Sequence, residues 1–94
     1  MSEVKELLDD LFEEHVQKIK TYHEHHKMSN GDMLELYGLY KQSISGDNDN
    51  THSSFRSLKE RKMSESWENF KGLNSNYTKQ CFINRVNEII LKKN

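Results

Sequence analysis

The apolar residues of this 94-residue chain recur at intervals of three and four, and they nowhere alternate as a half-buried strand requires. The first such series predicts an amphipathic helix over about residues 3–22. Its apolar positions are Val4, Leu7, Leu8, Leu11, Phe12, Val16 and Ile19.

A second helix is predicted after the polar stretch HEHHKMSNGD. Ser29 is the expected N-cap, since Asp32 follows three residues later in the manner of a capping box. The helix then carries Met33, Leu34, Leu36, Tyr37, Tyr40 and Ile44. The turn-rich segment SGDNDNTHSS predicts a long loop, with Phe55 and Leu58 at its exit.

Met63, Trp67 and Phe70 predict a third helix, which we expect to stop at Gly72. Asn74 is the expected N-cap of a fourth helix, and Lys92 and Lys93 suit the dipole at its end. One face of this helix is predicted to carry Tyr77, Cys81, Phe82, Val86, Ile89 and Ile90. The fold class is therefore all-α with four helices, and the long central loop permits a non-sequential bundle.

Length and composition predict a single domain over residues 1–94, since the hydrophobic content is only 33% but strongly periodic. One cysteine cannot form an internal disulfide, so we expect a cytoplasmic protein. No apolar run approaches the roughly 18 residues of a membrane span. The net charge of −1 argues against general binding to nucleic acid.

The charges are unevenly distributed along the chain. Residues 1–14 hold six acidic side chains against Lys5, whereas residues 56–62 hold four basic side chains against Glu60. The basic residues are Arg56, Lys59, Arg61 and Lys62. A locally basic surface on a nearly neutral protein suits a compact anionic ligand, although such a run is more often a solvated helix face.

Catalytic and metal-binding sets are not evident. Cys81 lies on an apolar face with no histidine near it in sequence, which favours a buried structural cysteine. The histidines at positions 15, 23, 25 and 26 lack the spacing of a zinc site, so we interpret them as solvated side chains near a helix end. We expect neither an enzyme nor a metalloprotein.

Tyr37, Tyr40 and Lys41 fall at i, i+3 and i+4, so a helix places two phenol rings and an ammonium on one side. They could be ordinary core residues beside a lysine whose ammonium reaches solvent. Together with the basic run, however, they offer what a nucleotide needs: rings for the base and cations for phosphate.

Three segments resemble the acyl-CoA-binding protein family: MLELYGLYKQSISGD, SWENFKG and CFINRVNEI. The resemblance runs from Phe12 to the C-terminus. It implies an up-down-down-up four-helix bundle that binds medium- and long-chain fatty acyl-CoA without catalysis or a cofactor, as an intracellular carrier and pool former. We expect a monomer.

The resemblance also implies a set of ligand-binding positions. Tyr37 and Lys41 match nucleotide and phosphate contacts, Tyr40 matches a neighbouring aromatic, and Met33 and Leu34 lie near the acyl and pantetheine path. The other expected contacts match, or stand near, further positions of the family site. They are Phe12, Val16, Lys20, Lys59, Lys62 and Phe82.

The chain departs from the family pattern at three positions. Met63 and Ser64 stand where a phosphate-binding lysine and an aromatic are usual, and Phe82 replaces a tyrosine. Lys62 could substitute for the missing lysine, although one position along a helix turns a side chain about 100°. The alternative is a helical interaction module that has kept the fold with weakened ligand binding.

Overall fold

The structure is a computed structural model, and it describes residues 2–49 and 57–92, with side chains from Glu6 onward. The described residues form four α-helices and no strand, which confirms the all-α prediction. The helices are α1 (Ser2–His25), α2 (Asn30–Ser45), α3 (Leu58–Glu68) and α4 (Ser75–Lys92). Phe55, Arg56, Lys93 and the side chain of Val4 lie outside the described residues.

The predicted N-caps of α2 and α4 are confirmed. Ser29 Oγ accepts a hydrogen bond from the Asp32 amide at 3.1 Å, and Asn74 Oδ1 accepts one from the Tyr77 amide at 2.8 Å. Ser57 Oγ caps α3 in the same way through the Glu60 amide, at 3.1 Å. Each cap satisfies an amide that the helix itself leaves without a partner.

Two helix boundaries differ from the prediction. α1 continues three residues beyond position 22, to His25. α3 begins at Leu58 and ends at Glu68, so Phe70 lies in the turn that follows rather than in the helix. Gly72, the expected stop signal, has a φ of 88° and reverses the chain at the end of that turn.

α1 and α4 are parallel neighbours, although they are the first and last helices of the chain. Asp9 and Phe12 of α1 meet Lys79 and Phe82 of α4, so the contacts advance in the same direction along both helices. The Lys79 ammonium lies 2.6 Å from the Asp9 carboxylate. This pairing fixes the non-sequential topology.

α2 runs antiparallel to α4, and polar contacts join the two helices at both ends. Ser43 Oγ donates to Thr78 Oγ1 at 2.9 Å, while Arg85 contacts Asp32 at 2.7 Å and Glu35 at 2.8 Å. The hydrogen bond to Glu35 is the main reason that the pKa of Arg85 is raised above its ordinary value.

The core lies where α4 packs against α1 and α2. Burial of these side chains is the main favourable contribution to folding. The buried apolar residues are Phe12, Val16, Ile19, Met28, Leu36, Leu39, Phe82, Ile83, Val86 and Ile89.

α3 packs on α2 through a close approach at Gly38. A Cβ at this position would lie 2.6 Å from the Ser66 carbonyl oxygen and 2.7 Å from Cε2 of Phe70. Ser66 Oγ also donates to the Leu34 carbonyl. The missing side chain therefore sets the distance between the two helices.

Some residues expected on apolar faces are exposed. Leu7 of α1 is 61% exposed, Leu11 is 37% exposed, and Tyr77 of α4 is 55% exposed. Cys81 is half-buried rather than buried. The 100° step of the helix turns these side chains away from the middle of the face that packs on the core.

Candidate functional site

The signature segment of α2 sends its three chemically suggestive residues into different surroundings. All three are half-buried, but Tyr40 packs against the core and Lys41 packs against α3. They lie on one helix at the spacing that predicted a shared side. All three residues keep some exposed surface, and they differ in what the rest of each side chain packs against.

Tyr40 belongs to a cluster of three aromatic rings contributed by α1, α2 and α4. Its ring stacks on Phe12 with centroids 5.9 Å apart and lies 6.4 Å from Phe82. Phe12 and Phe82 are 5.1 Å apart, and both are almost fully buried. The expected ligand contacts Phe12 and Phe82 are thus core residues, as is Val16.

Lys79 is a residue that sequence reasoning missed. Its ammonium lies 5.7 Å from the Phe12 ring centroid as well as beside Asp9, so a half-buried cation borders the aromatic cluster. No sequence signal marked it, because its two partners come from a helix about 70 positions earlier.

Lys41 lies over the indole of Trp67, with Nζ 4.8 Å from the ring centroid. This distance is within the range of a cation–π interaction. The indole Nε1 donates to the Gly46 carbonyl at 2.8 Å. The expected phosphate-binding ammonium is therefore held between the end of α2 and the side of α3.

The Gly-Asp that ends the signature has a structural function that sequence reasoning also missed. Asp47 Oδ1 accepts hydrogen bonds from the Gly72 amide and from Gln42 Nε2, both at 2.8 Å. The Gly72 amide bond is the main reason that the pKa of Asp47 is lowered below its ordinary value, followed by the Gln42 bond. Gln42 also donates to the Leu73 carbonyl at 3.0 Å. These bonds join the end of α2 to the turn before α4.

The departure at Ser64 is accommodated by a hydrogen bond. Asn48 Nδ2 donates to Ser64 Oγ at 2.9 Å and to the Ser64 carbonyl at 3.2 Å. A polar contact thus occupies the place where the family usually has an aromatic side chain. Met63, where the lysine is usual, is half-buried.

The other expected basic contacts are spread over the surface. Lys20 and Lys59 are exposed. Lys62 borders a cavity of about 340 Å³ between α2 and α3, which Lys41 does not line. Leu34 also lines this cavity, whereas Met33 packs against the core. The structure therefore brings Leu34 and Lys62 together, but on a different side of α3 from the Lys41–Trp67 contact.

The histidines divide into two kinds. His23, His25 and His26 are exposed as expected, and the His26 ring stacks on Tyr22. His15 contradicts the expectation of a solvated side chain, because it is 7% exposed and its Nδ1 lies 2.7 Å from the Leu11 carbonyl oxygen. Within residues 2–49 and 57–92, no three histidine, cysteine or acidic side chains converge as metal ligands.

Comparison with known proteins identifies the family. The family model described as acyl CoA binding protein matches residues 9–86. The acyl-CoA-binding protein of Saccharomyces cerevisiae is 35% identical over 86 residues, which are 92% of this chain and 97% of that protein. Acyl-CoA-binding domain-containing protein 6 of Arabidopsis thaliana is 36% identical over 83 residues, 88% of each chain.

A solved structure shares the fold as well. The crystal structure of Oryza sativa acyl-CoA-binding protein 2 superposes with a TM-score of 0.82 at 30% sequence identity, covering 92% of this chain and 93% of that one. Four helices in this arrangement define a helical bundle of the acyl-CoA-binding protein type. The chain belongs to the acyl-CoA-binding protein family.

Proposed function

We propose that this protein binds medium- and long-chain fatty acyl-CoA esters and serves as their carrier and pool former. The observation that carries the proposal is the family match over residues 9–86, which includes the whole α2 signature. The membership also supports a non-catalytic function, since this is a family of binding proteins. The ligand is the acyl-CoA itself, and no cofactor is invoked.

The head group is assigned to Lys41 and Tyr37, with Lys20, Lys59 and Lys62 as further cations. Coenzyme A carries about four negative charges at neutral pH. A charge-assisted hydrogen bond to one of its phosphates contributes about 1.5–3 kcal/mol. Lys41 is the strongest candidate because its ammonium is already confined by the Trp67 ring.

The acyl and pantetheine portion is assigned to Met33 and Leu34 on α2 and to the aromatic cluster. The cluster side that an acyl chain would reach includes Tyr40, Phe12 and Phe82, with Val16 one turn along α1. Phe12, Phe82 and Val16 are buried, so the acyl chain would touch only their edges unless the helices separate, whereas Tyr40 is partly exposed. Each methylene taken from water contributes roughly 0.8 kcal/mol.

Lys41→Ala tests the head-group assignment. We expect palmitoyl-CoA to bind about 1.5–3 kcal/mol more weakly, the scale of a lost charged hydrogen bond, while helicity stays unchanged. Titration calorimetry measures the affinity and circular dichroism the helicity. Lys18→Ala, which removes an exposed lysine from α1, is the matched control. Equal affinities for the parent and Lys41→Ala would refute the assignment.

A helical interaction module that has lost its ligand is the alternative, and the three departures at Met63, Ser64 and Phe82 favour it. Native mass spectrometry of protein expressed in bacteria separates the two functions, because a carrier retains acyl-CoA during purification.

We also propose a monomer located in the cytoplasm. None of the described helices has the length and apolarity to cross a membrane.

A further inference from the structure

We propose that Trp67 is a positioning residue for Lys41, whose ammonium it holds in place for a phosphate of the CoA head group. This inference rests on the proposed function, since it concerns how the same site recognises its anionic ligand. Trp67 is the only tryptophan in the chain, and it lies on α3, whereas Lys41 lies on α2.

The contact itself has the geometry of a cation–π interaction. Lys41 Nζ lies 4.8 Å from the centroid of the Trp67 ring, inside the limit of about 6 Å, and tryptophan is the most favourable ring for such a contact. Both side chains are half-buried, so water screens the attraction less than it would on an open surface.

The indole is fixed by the same end of α2 that carries the lysine. Its Nε1 donates to the Gly46 carbonyl at 2.8 Å, and the Gly46 amide donates to the Gln42 carbonyl at 3.2 Å. Gly46 has a φ of 76°, a conformation that places the carbonyl at the C-cap of α2 and that favours glycine. The ring therefore cannot turn away from Lys41 without breaking its hydrogen bond to the C-cap of α2.

This arrangement lowers the entropy lost when the ligand binds. A free lysine side chain samples many rotamers, and ordering it on a phosphate is costly. The Trp67 ring covers only one side of the Lys41 ammonium, which leaves N–H donors directed away from the ring for phosphate oxygens. The ammonium can thus keep its contact with the indole while it binds the anion.

A double-mutant cycle tests the inference on the intact chain. Trp67→Leu should weaken the binding of both palmitoyl-CoA and unacylated CoA about three- to tenfold. This is the range expected when one side chain that was ordered in the free protein must instead be ordered on binding. In a Lys41→Met background the same substitution should change affinity less than twofold. Trp67→Phe keeps a ring but loses the Nε1–H donor, so it should weaken binding less than Trp67→Leu does.

Nuclear magnetic resonance provides a readout that needs no change in affinity. The side-chain methylene protons of Lys41 should be shifted upfield by the indole ring current in the free parent protein, and the shift should persist with CoA bound. Trp67→Leu should abolish it. Absence of the shift in the parent, or its disappearance when CoA binds, would overturn the inference even if every variant failed to fold.

Asn48→Ala is the matched structural control. It breaks the hydrogen bonds to Ser64, and so loosens the same helix without touching Lys41. We expect less than a twofold change in affinity. Trp67 would have a merely structural function if Asn48→Ala lowered the affinity as much as Trp67→Leu does. The same conclusion would follow if Trp67→Leu lowered the affinity equally in the parent and in the Lys41→Met background. Failure of the parent to bind CoA or palmitoyl-CoA overturns the proposed function first, before any variant is compared.

Discussion

At the scale of single residues, the signature of α2 combines residues available for ligand binding with residues that stabilise the fold, and the sequence pattern does not distinguish the two. Lys41 and Tyr37 are available to a ligand, whereas Gln42 and Asp47 are occupied by the turn before α4. Gln42 is 1% exposed, and its Nε2 has two acceptors, so the amide orientation is fixed. A substitution at Gln42 or Asp47 should therefore act on stability.

Asp47 should make stability depend on pH. Its pKa is lowered in the folded protein, so its contribution is fully present above the ordinary carboxyl pKa of about 4 and is lost as the pH falls through the lowered value. Asp47→Asn keeps an acceptor for Gly72 but removes this titration. We expect a lower Tm than the parent at pH 7 and a difference that shrinks below about pH 4.

Thermal unfolding between neutral and acidic pH measures this difference directly. Glu14→Gln, on the exposed side of α1, controls for the removal of one carboxylate. A Tm difference between the parent and Asp47→Asn that stayed constant down to acidic pH would show that the carboxylate charge contributes nothing.

Met63 is the departure from the family pattern whose reversal is most informative. Position 63 lies one helical turn before Trp67, so it shares the side of α3 that holds Lys41. Met63→Lys should therefore strengthen palmitoyl-CoA binding by about 1.5–3 kcal/mol, the scale of one added charged hydrogen bond. The dephospho-CoA ester, which lacks the ribose phosphate, should gain much less.

Lys62→Ala completes this comparison by calorimetry at fixed low salt, because such contacts are screened. Lys62 lies on the other side of α3, in the cavity with Leu34. Loss of discrimination between the two esters in Lys62→Ala would show that Lys62 replaces the missing lysine. A Met63→Lys protein with parental affinity for both esters would contradict the placement of a phosphate near this turn.

At the scale of the helices, the contact between α2 and α3 depends on Gly38. Adding a methyl group there forces the two helices apart, because the nearest atom is a backbone oxygen that cannot swing away. We expect Gly38→Ala to lower the free energy of unfolding by about 1–3 kcal/mol, the usual cost of overpacking. Denaturant titration measures the change.

Gly31→Ala, in the first turn of the same helix, is the control. Its Cβ would meet only Ser29 Oγ, at 4.0 Å, so the better helix propensity of alanine should leave stability unchanged or increased by up to about 1 kcal/mol. Equal effects at positions 31 and 38 would mean that helix propensity, and not the α2–α3 distance, decides both.

The helices themselves could be predicted because local rules place them. Ser29 and Asn74 are N-caps by residue type, and the spacing of the core positions matches the 3.6-residue period. The end of α3 and the function of Gly38 could not be predicted, since both depend on what another helix presents. Phe70 continues the apolar period of α3, yet the chain has already turned at that point.

At the scale of the whole molecule, the acyl chain and the head group should contribute separably to affinity. Esters with eight to sixteen acyl carbons should bind with increasing affinity, by at most about 0.8 kcal/mol per added methylene. The increase should stop once the apolar surface beside the aromatic cluster is covered. Calorimetry over the series, repeated with Lys41→Ala, should give parallel curves; converging curves would show that head and chain sites are coupled.

The candidate site could be predicted only in part for a related reason. Tyr37 and Lys41 are neighbours on one helix, so their spacing brought them together in the sequence. Lys79, Asp9 and the Trp67 ring reach the site from three other helices, and no local pattern encodes their meeting. The family resemblance supplied the class of ligand, but it did not indicate that Asn48 compensates at Ser64.

The parallel pairing of α1 with α4 has a consequence for how the protein acquires its structure. α1 makes its close backbone contacts with the last helix of the chain and meets α2 only through side chains such as Phe12 and Tyr40. The Asp9–Lys79 pair closes a segment of 70 residues. Closing so long a segment loses conformational entropy before the contacts that stabilise the closed form can be made. Such distant contacts therefore slow folding. During synthesis, α1 should therefore lack its main packing partner until α4 has left the ribosome, and the aromatic cluster, which needs Phe82 of α4, should be among the last parts of the molecule to form.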